Sequence, residues 1–256
     1  MKKLIKKISV LKFLVVCFRV FGNRHGIFKR TFLLNGFFAE YFEFKKLKKN
    51  KSFKINFEDL YPRIYDKTGT MPVDPVYFYQ DTWCAGKIFE NKPEHHYDIG
   101  SSAEFIGIVS KFVPVTMVDI RPIPVSIPSL SFKEGSILKL PFADDSLLSV
   151  SSICVIEHIG LGRYGDPIDQ FGSEKAASEL VRVLVSGGNL YISVPIDSES
   201  KVYFNAHRVF SRSYVLELFG NLSLVEEKYV YGNNLKDSYD KSLGFGTGLF
   251  HFKKQP

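Results

Sequence analysis

The residues best suited to chemistry are a short segment with an acid and a glycine, and a second acid further along the chain. The segment 98–102 (D-I-G-S-S) lies between a predicted strand and a predicted helix, and Asp119 ends the next predicted strand, 21 residues after Asp98. A glycine there lets the backbone approach a ligand, and the helix start offers unpaired N–H groups. An acid at this interval can accept hydrogen bonds from both ribose hydroxyls. The pair indicates a nucleotide-like ligand or, alternatively, a turn glycine and a surface acid in an unrelated sheet.

These residues need a parallel sheet to bring them together. Strand and helix signals alternate after Asn91, beginning with strands at 95–99 and 115–120 around a helix at 104–112. The later segments are a strand at 147–156, a helix at 173–184, the turn Gly187-Gly188, a strand at 189–194, a helix at 213–219 and terminal strands at 224–231 and 249–252. Such alternation predicts a parallel sheet with helices on its faces.

Three segments are predicted along the chain. Residues 1–54 form a basic amphipathic extension, residues 55–92 a connecting segment with a helix, and residues 93–256 the sheet domain. Within the connecting segment, Asp74 is expected to cap a helix and Pro75 to occupy its first position. The length of 256 residues suits one sizeable domain with an extension.

The formal charge of +7 belongs mainly to the N-terminal region. Apolar residues repeat at helical spacing through residues 1–22, although Lys12 and Arg19 interrupt the most apolar stretch. The pattern predicts an amphipathic helix on an anionic membrane or a basic helix packed on the protein's own core. Neither a spanning helix nor a cleavable signal is clear. The expected location is cytoplasmic, with peripheral contact at the inner face of the membrane under the first interpretation.

Three motifs follow the second acid in a fixed order. They are L-P-F at 140–142, E-H-I at 157–159 and E-L-V-R-V-L-V-S-G-G at 179–188. In order, spacing and residue types, the chain from about 98 to 195 resembles the class I S-adenosylmethionine-dependent methyltransferase superfamily, particularly its type 11 branch. This resemblance implies a Rossmann-like α/β fold with a mostly parallel seven-stranded sheet, helices on both faces and an N-terminal helical extension.

A second resemblance is to the domain-of-unknown-function family 268. It rests on Y-Q-D at 79–81, on the segment 160–167 and on the ending G-T-G-L-F at 246–250. This family brings no established activity, so the expected chemistry comes from the first resemblance alone.

The superfamily resemblance implies S-adenosylmethionine as the cofactor. The first loop would hold its methionine part, Asp119 its ribose, and Ser136 with Ile137 its adenine. Either Tyr79, Tyr97 or Phe142 could face the sulfonium, or all three could pack in the core. The implied cofactor-binding residues are Asp98, Gly100, Ser101, Ser102, Asp119, Ile120, Ser136, Ile137 and Glu157.

The sequence departs from the superfamily pattern at two places. Ser102 stands where a second glycine is usual, which predicts less backbone freedom in the first loop. Gly135-Ser136 stands where an acid commonly follows the third strand, so Ser136 or Asp144 would have to bind the adenine amino group.

The candidate catalytic residues are His158, Tyr164, Asp166 and His207. His158 follows a strand end and could remove a proton from the acceptor, or it could be a turn histidine that caps a backbone group. Tyr164 and Asp166 lie in the insertion 160–172, which is either an acceptor-binding loop or a solvated one. Arg208 could clamp an anionic acceptor or form an ion pair with Asp197 or Glu199. No metal site is predicted.

Two functions from different classes fit these motifs. The first is a methyltransferase acting on a small molecule, sugar or lipid-linked glycan near the membrane, and the second is a non-catalytic methyltransferase-like binding module in envelope polysaccharide assembly. Nucleic acid is not the expected partner, because the N/D-P-P-Y type signature of base methylation is absent.

Overall fold

A computed structural model describes residues 26–48 and 51–255. The chain divides into two compact units, 1–72 and 73–256. The amphipathic helix predicted for residues 1–22 lies outside the described residues. Within the described ranges, no helix has the length and apolar character needed to cross a bilayer.

The first unit contains a long helix and an irregular segment. Helix α1 spans Ile27–Lys46, and a 3₁₀ turn follows at Phe57–Asp59. Tyr41 on the helix and Leu60 after the turn are buried. This compact unit continues through Pro72.

The second unit begins with helix α2, Pro75–Asn91, as the capping signal predicted. The Asp74 carboxylate accepts hydrogen bonds from the N–H groups of Val76 (3.0 Å) and Tyr77 (3.3 Å), which satisfies two unpaired donors of the first turn. The helix ends where Lys92 takes the left-handed conformation with φ 47°. Contacts group this helix with the sheet in one compact unit.

The sheet has ten strands, and three more helices pack on it. The strands are β1 His96–Ile99, β2 Val115–Asp119, β3 Leu130–Glu134, β4 Leu147–Ile153, β5 Leu184–Asp197, β6 Lys201–Tyr203, β7 His207–Ser211, β8 Leu222–Tyr231, β9 Asn234–Lys236 and β10 Gly246–Lys254. The helices are α3 Ala103–Val109, α4 Gly172–Val183 and α5 Arg212–Leu218, and a second 3₁₀ turn lies at Lys241–Leu243.

The main strand order is β3-β2-β1-β4-β5-β10-β8-β9. Strands β1 to β5 are parallel, and β10 lies antiparallel between β5 and β8. The expected mostly parallel sheet is confirmed, but the strand number of seven is wrong. Strands β6, β7 and β9 are the additions: β6 pairs with β7, β7 also pairs with β5, and β9 pairs with β8.

The predicted turn Gly187-Gly188 lies inside β5 rather than before it. Strand β5 begins at Leu184, and its register with β4 shifts before Asn189. Gly187 has a φ of +78°, and a Cβ at Gly188 would lie 2.8 Å from the Val185 carbonyl oxygen. The two glycines therefore allow an irregularity within a continuous strand.

Helices cover both faces of the sheet. Along β5, Leu190 and Ile192 are buried with α4 and α5 on one face, whereas Tyr191 between them is buried with α2 and α3 on the other. Successive side chains of a strand point to opposite faces, so a strand covered on both sides is apolar throughout. This explains the unbroken apolar runs from which the strands were predicted.

A buried polar network connects β1 to β4. The two ring nitrogens of His96 lie 2.8 Å from the Ser149 hydroxyl and 2.9 Å from the Ser151 hydroxyl. Ser151 also donates a hydrogen bond to Asp98 at 2.5 Å. Burial lowers the pKa of His96 to about 3, so the ring is neutral in the folded protein.

We expect His96 to make the stability of the protein pH-dependent. Its folded pKa lies below the unfolded value of about 6.5, so the unfolded chain binds the extra proton between these two values. Relative to His96→Gln, the wild type should lose about 1.4 kcal/mol of unfolding free energy per pH unit below about 6.5. Urea titrations of both proteins from pH 7.5 to pH 5 measure this difference. A difference that stays constant over that range would contradict the assignment.

Candidate functional site

A cavity of about 340 Å³ lies at the carboxyl ends of β1, β2 and β4. Ligands of open parallel sheets bind at this edge. Its walls are segments 99–102, 118–121, 135–138, 153–155 and 158–159, together with Tyr77, Tyr164 and Asp166. The cavity brings together all the predicted site residues except Asp98, Glu157 and His207, which do not line it.

The Asp98 side chain holds the first loop through hydrogen bonds with Ser101. Its buried carboxylate accepts hydrogen bonds from the Ser101 N–H (3.0 Å), the Ser101 hydroxyl (2.6 Å) and the Ser151 hydroxyl. The Ser101 hydroxyl in turn accepts a hydrogen bond from the Ile153 N–H at 2.9 Å. Burial raises the pKa of Asp98 to about 7, against the lowering effect of these donors. Asp98 therefore shapes the loop rather than lining the cavity.

Ser102 does not need the backbone freedom of the usual glycine. Its φ is −67°, in the region open to every residue, and its hydroxyl caps α3 by accepting a hydrogen bond from the Phe105 N–H at 3.2 Å. Gly100 is the position with positive φ, +76°, and a Cβ there would lie 3.0 Å from Val155 Cγ1. The departure at position 102 therefore leaves the loop intact.

Asp119 lies at the next strand end, where Arg121 covers it. The Arg121 N–H and Nε donate hydrogen bonds to Asp119 Oδ1 at 2.8 and 3.2 Å, and a terminal guanidinium nitrogen donates to Oδ2 at 3.3 Å. The Asp119 side chain is 10% exposed, and that of Arg121 is 56% exposed. A ligand that uses this carboxylate competes with the Arg121 side chain, which is more than half exposed and also lies 4.6 Å from the Tyr164 ring.

The far end of the cavity is formed by segment 135–138. The Ser136 hydroxyl accepts a hydrogen bond from the Leu138 N–H at 3.2 Å and lines the cavity. Asp144, the other residue considered for an adenine contact, does not line the cavity, and it forms an ion pair with Arg182 at 2.7 Å. Only Ser136 of this pair can therefore contact a ligand here.

Glu179 and Arg182 of the E-L-V-R motif hold the loop that precedes β4. Glu179 accepts a hydrogen bond from the Leu140 N–H at 2.7 Å. Arg182 donates to the carbonyl oxygens of Leu140 (3.2 Å) and Phe142 (2.9 Å). These contacts hold the L-P-F segment against α4 and so fix the cavity wall beside it.

His158 lines the cavity as a neutral ring. Its Nδ1 lies 2.7 Å from the Ala206 carbonyl oxygen, which can only accept, so Nδ1 carries the hydrogen and Nε2 is the free acceptor. Burial lowers the pKa of His158 to about 4. The ring thus caps a backbone group, as the simpler interpretation predicted, and still presents an acceptor nitrogen.

Glu157 is buried beside the cavity. Its Oε1 lies 3.7 Å from His158 Nε2, and its Oε2 has no hydrogen-bond partner among the described residues. Burial raises the pKa of Glu157 to about 8, so the carboxyl is mostly protonated at neutral pH. Glu157 is buried and does not line the cavity, so its contact with a cofactor stays a prediction.

The insertion after E-H-I is held by two polar side chains. Asp166 accepts hydrogen bonds from the N–H groups of Gly160 (2.6 Å) and Tyr164 (3.3 Å). Arg208 is buried and donates to the carbonyl oxygens of Ile159 and Asp169. The structure shows no ion pair of Arg208 with Asp197 or Glu199 among the described residues. The Arg208 guanidinium instead donates to carbonyl oxygens of the loop, and its role as an anion clamp stays a prediction.

One aromatic residue that lines the cavity was not singled out from the sequence. Tyr77 borders the cavity, whereas Tyr79 donates a hydrogen bond to the Asn233 carbonyl oxygen at 3.2 Å. Tyr97 and Phe142 pack edge to face at 5.2 Å and do not line the cavity. A signal was present, since Tyr77 lies three residues before the buried Gln80 and therefore on the same side of α2.

Known structures share this architecture. The N-methyltransferase NodS of Bradyrhizobium japonicum matches with a TM-score of 0.52 and 16% identity over 72% of this chain and 98% of that one. The fold is that of class I methyltransferases. The 1,6-didemethyltoxoflavin-N1-methyltransferase of Burkholderia thailandensis, solved with S-adenosylhomocysteine, matches with a TM-score of 0.50 and 12% identity over 92% and 93% of the two chains. The [4+2]-cyclase SpnF matches with a TM-score of 0.51 and 11% identity over 68% and 81%.

Sequence comparisons add one family. The family described as "Caenorhabditis protein of unknown function, DUF268" matches residues 139–230, which confirms the second resemblance over that part of the chain. No curated protein sequence matches. Because SpnF is a cyclase by name, the class I methyltransferase fold by itself leaves the reaction open.

The described residues contain no cluster of side chains that could bind a metal ion. Across residues 26–48 and 51–255, no group of three or more histidine, cysteine, aspartate or glutamate side chains could hold a metal ion.

We expect Gly100→Ala to destabilise the protein more than Gly165→Ala. Both glycines have positive φ, +76° and +91°, but a Cβ at Gly165 would meet nothing within 4 Å. The control should lose about 1 kcal/mol of unfolding free energy from backbone strain, and Gly100→Ala about 2 kcal/mol or more, since Val155 must also shift. Chemical denaturation measures both values. Equal losses of unfolding free energy in the two variants would show that the close approach to Val155 does not affect stability.

Proposed function

We propose that the protein is an S-adenosylmethionine-dependent methyltransferase acting on a small molecule, sugar or lipid-linked glycan. The observation that carries this proposal is the single cavity bounded by the glycine turn at 100–102, by Asp119 and by segment 135–138. These are the places at which the superfamily resemblance puts the methionine, ribose and adenine parts of the cofactor. The named methyltransferases of the same fold support the proposal as fold relatives only.

The residues present fit such a cofactor. At the methionine end, Gly100 leaves room that a side chain would fill, since a Cβ there would touch Val155. At the adenine end, a Cβ on Gly135 would lie 2.9 Å from Pro141 Cδ, so the glycine allows this wall of the cavity to pack closely against Pro141. Asp119 between them offers a carboxylate to a ribose diol.

When bound, the cofactor would supply an electrophilic methyl group on its sulfonium. The chain's own residues would bind and orient the two reactants, which lowers the entropic part of the barrier. His158 Nε2, held by the contact of Nδ1 with the Ala206 carbonyl, would accept a hydrogen bond from the acceptor. Tyr164 lies edge to face with His158 at 5.4 Å and would help to exclude water from that side.

We expect Asp119→Asn to weaken S-adenosylhomocysteine binding by about tenfold or more. The asparagine keeps the shape but gives up the charge and one acceptor oxygen, and a hydrogen bond to a charged group contributes about 1.5–3 kcal/mol. Isothermal titration calorimetry with the purified full chain measures the change. The matched control is Asp237→Asn, which removes an exposed carboxylate that is paired with Lys228 away from the cavity. Equal affinity of Asp119→Asn and wild type would contradict this role for Asp119.

The alternative is a non-catalytic methyltransferase-like module that binds a partner in envelope polysaccharide assembly. The observation that favours it is the Arg121–Asp119 pair, which occupies the carboxylate that a ribose would need. Transfer of labelled methyl groups from S-adenosylmethionine to an envelope-sugar acceptor would remove this alternative. Absence of cofactor binding by a folded chain would favour it.

We further propose that residues 1–22 contact the inner face of a membrane in a cytoplasmic protein. The support is the sequence alone, with Lys2, Lys3, Lys6 and Lys7 beside an apolar stripe. We expect co-sedimentation with vesicles that contain 30% phosphatidylserine, and little with pure phosphatidylcholine vesicles. Replacing the four lysines by glutamine should lower the partition coefficient onto the charged vesicles by roughly a thousandfold, since each basic residue contributes about 1 kcal/mol near such a surface and about 1.4 kcal/mol is a factor of ten. Binding that ignores lipid charge and these lysines would contradict the proposal.

A further inference from the structure

A row of aromatic rings leads from the cavity to the protein surface. Tyr164, which lines the cavity, lies 5.4 Å from His158, and His158 lies 6.5 Å from His207. His207 then lies 5.4 Å from Tyr203 and 6.3 Å from Phe245. All four distances join ring centroids, so the five rings are continuous. We call these five residues the aromatic row.

The outer rings of the row are open to solvent. Tyr203 is 48% exposed and Phe245 is 54% exposed. They come from separate parts of the chain, the short strand β6 and the segment before β10, and His207 lies between them on β7. Contiguous exposed apolar groups with polar residues at their rim mark interaction sites, and ligand-binding clefts are lined largely by aromatic and aliphatic side chains.

A cation lies beside the inner rings. The Arg163 guanidinium is 5.0 Å from the centre of the Tyr164 ring, and it donates a hydrogen bond to the Ala206 carbonyl oxygen at 2.9 Å. Within the described part of the chain, no carboxylate lies within 4.0 Å of this guanidinium to form an ion pair with it. Arg121 contributes a second guanidinium, 4.6 Å from the same ring, and it is paired with Asp119. The nearby Asp166 carboxylate is engaged by backbone N–H groups.

We propose that the aromatic row and Arg163 form an acceptor groove that binds an acidic oligosaccharide. The apolar faces of sugar rings would lie on Tyr203, His207 and Phe245, and a carboxylate of the glycan would pair with Arg163 at the cavity mouth. This inference rests on the proposed function, and it narrows the acceptor to one chemical class.

The polar groups along the row favour a sugar over an acyl chain. His207 and Arg163 lie between the aromatic faces, and both carry hydrogen-bonding groups. An acyl chain would cover these groups without partners, which is unfavourable, whereas sugar hydroxyls can pair with them. The unpaired guanidinium adds a preference for negative charge.

The test compares two trisaccharides of the same linkage, trigalacturonate and neutral galactotriose. Calorimetry uses the purified full chain saturated with S-adenosylhomocysteine. We expect trigalacturonate to bind at least about tenfold more tightly than galactotriose, as a charge-assisted hydrogen bond would give. Arg163→Gln should remove this preference, and Arg163→Lys should retain part of it. Tyr203→Ala should weaken both sugars by a similar factor of about five, because it removes stacking area but no charge.

Two controls separate the groove from the general surface. Lys175→Gln removes an exposed cation that is paired with Asp169, and Phe171→Ala removes an aromatic side chain that is 64% exposed and outside the row. Both should leave trigalacturonate affinity unchanged. Thermal denaturation verifies that every variant is folded.

The outcomes distinguish this inference from the proposed function. If S-adenosylhomocysteine binds but the two trisaccharides bind equally or not at all, the acidic groove is wrong and the methyltransferase proposal stands. If S-adenosylhomocysteine does not bind to the folded chain but trigalacturonate binds in an Arg163-dependent way, the groove stands and the methyltransferase proposal fails. Unchanged trigalacturonate affinity in both Arg163→Gln and Tyr203→Ala would overturn the groove.

Discussion

The buried carboxyl of Asp98 is the contact on which the cavity depends. It accepts the N–H and the hydroxyl of Ser101, and the same hydroxyl receives the Ile153 N–H of the neighbouring strand. One carboxyl therefore joins the end of β1, the first loop and the end of β4. This places Gly100 against Val155 and opens the space in front of it. A buried carboxyl is costly unless it is hydrogen-bonded, and here each donor also shapes the wall of the site.

Much of the fold could be predicted because its signals are local. A strand covered on both faces is an apolar run, as β5 shows with Leu190, Tyr191 and Ile192 all buried. The start of α2 follows from Asp74 and Pro75 alone. In contrast, every side chain of strand Lys201–Tyr203 is exposed. The strand pairs with β7, but its sequence shows no alternation of apolar and polar residues from which it could be predicted. Such additions depend on partners that are distant in the chain.

The backbone positions of the candidate site could be predicted from the sequence, whereas many of its side-chain contacts could not. Gly100 and Asp119 could be found from their spacing, because strand ends and turns have characteristic residues. The covering of Asp119 by Arg121, and the use of Arg208 for carbonyl groups rather than acids, depend on three-dimensional neighbours. The departures from the superfamily pattern have structural explanations at position 102, where Ser102 caps α3. A short sequence motif therefore describes which backbone geometry is needed, and the side chains can meet that need in more than one way.

We expect S-adenosylmethionine to bind in the cavity with its ribose on Asp119. A crystal structure of the full chain soaked with excess S-adenosylhomocysteine tests this placement. It should show ribose hydroxyls within hydrogen-bond distance of Asp119, the methionine part at Gly100, and the Arg121 guanidinium displaced from its pairing with Asp119. The placement is wrong if the Arg121–Asp119 pair persists and the cavity holds no ligand at saturating concentration.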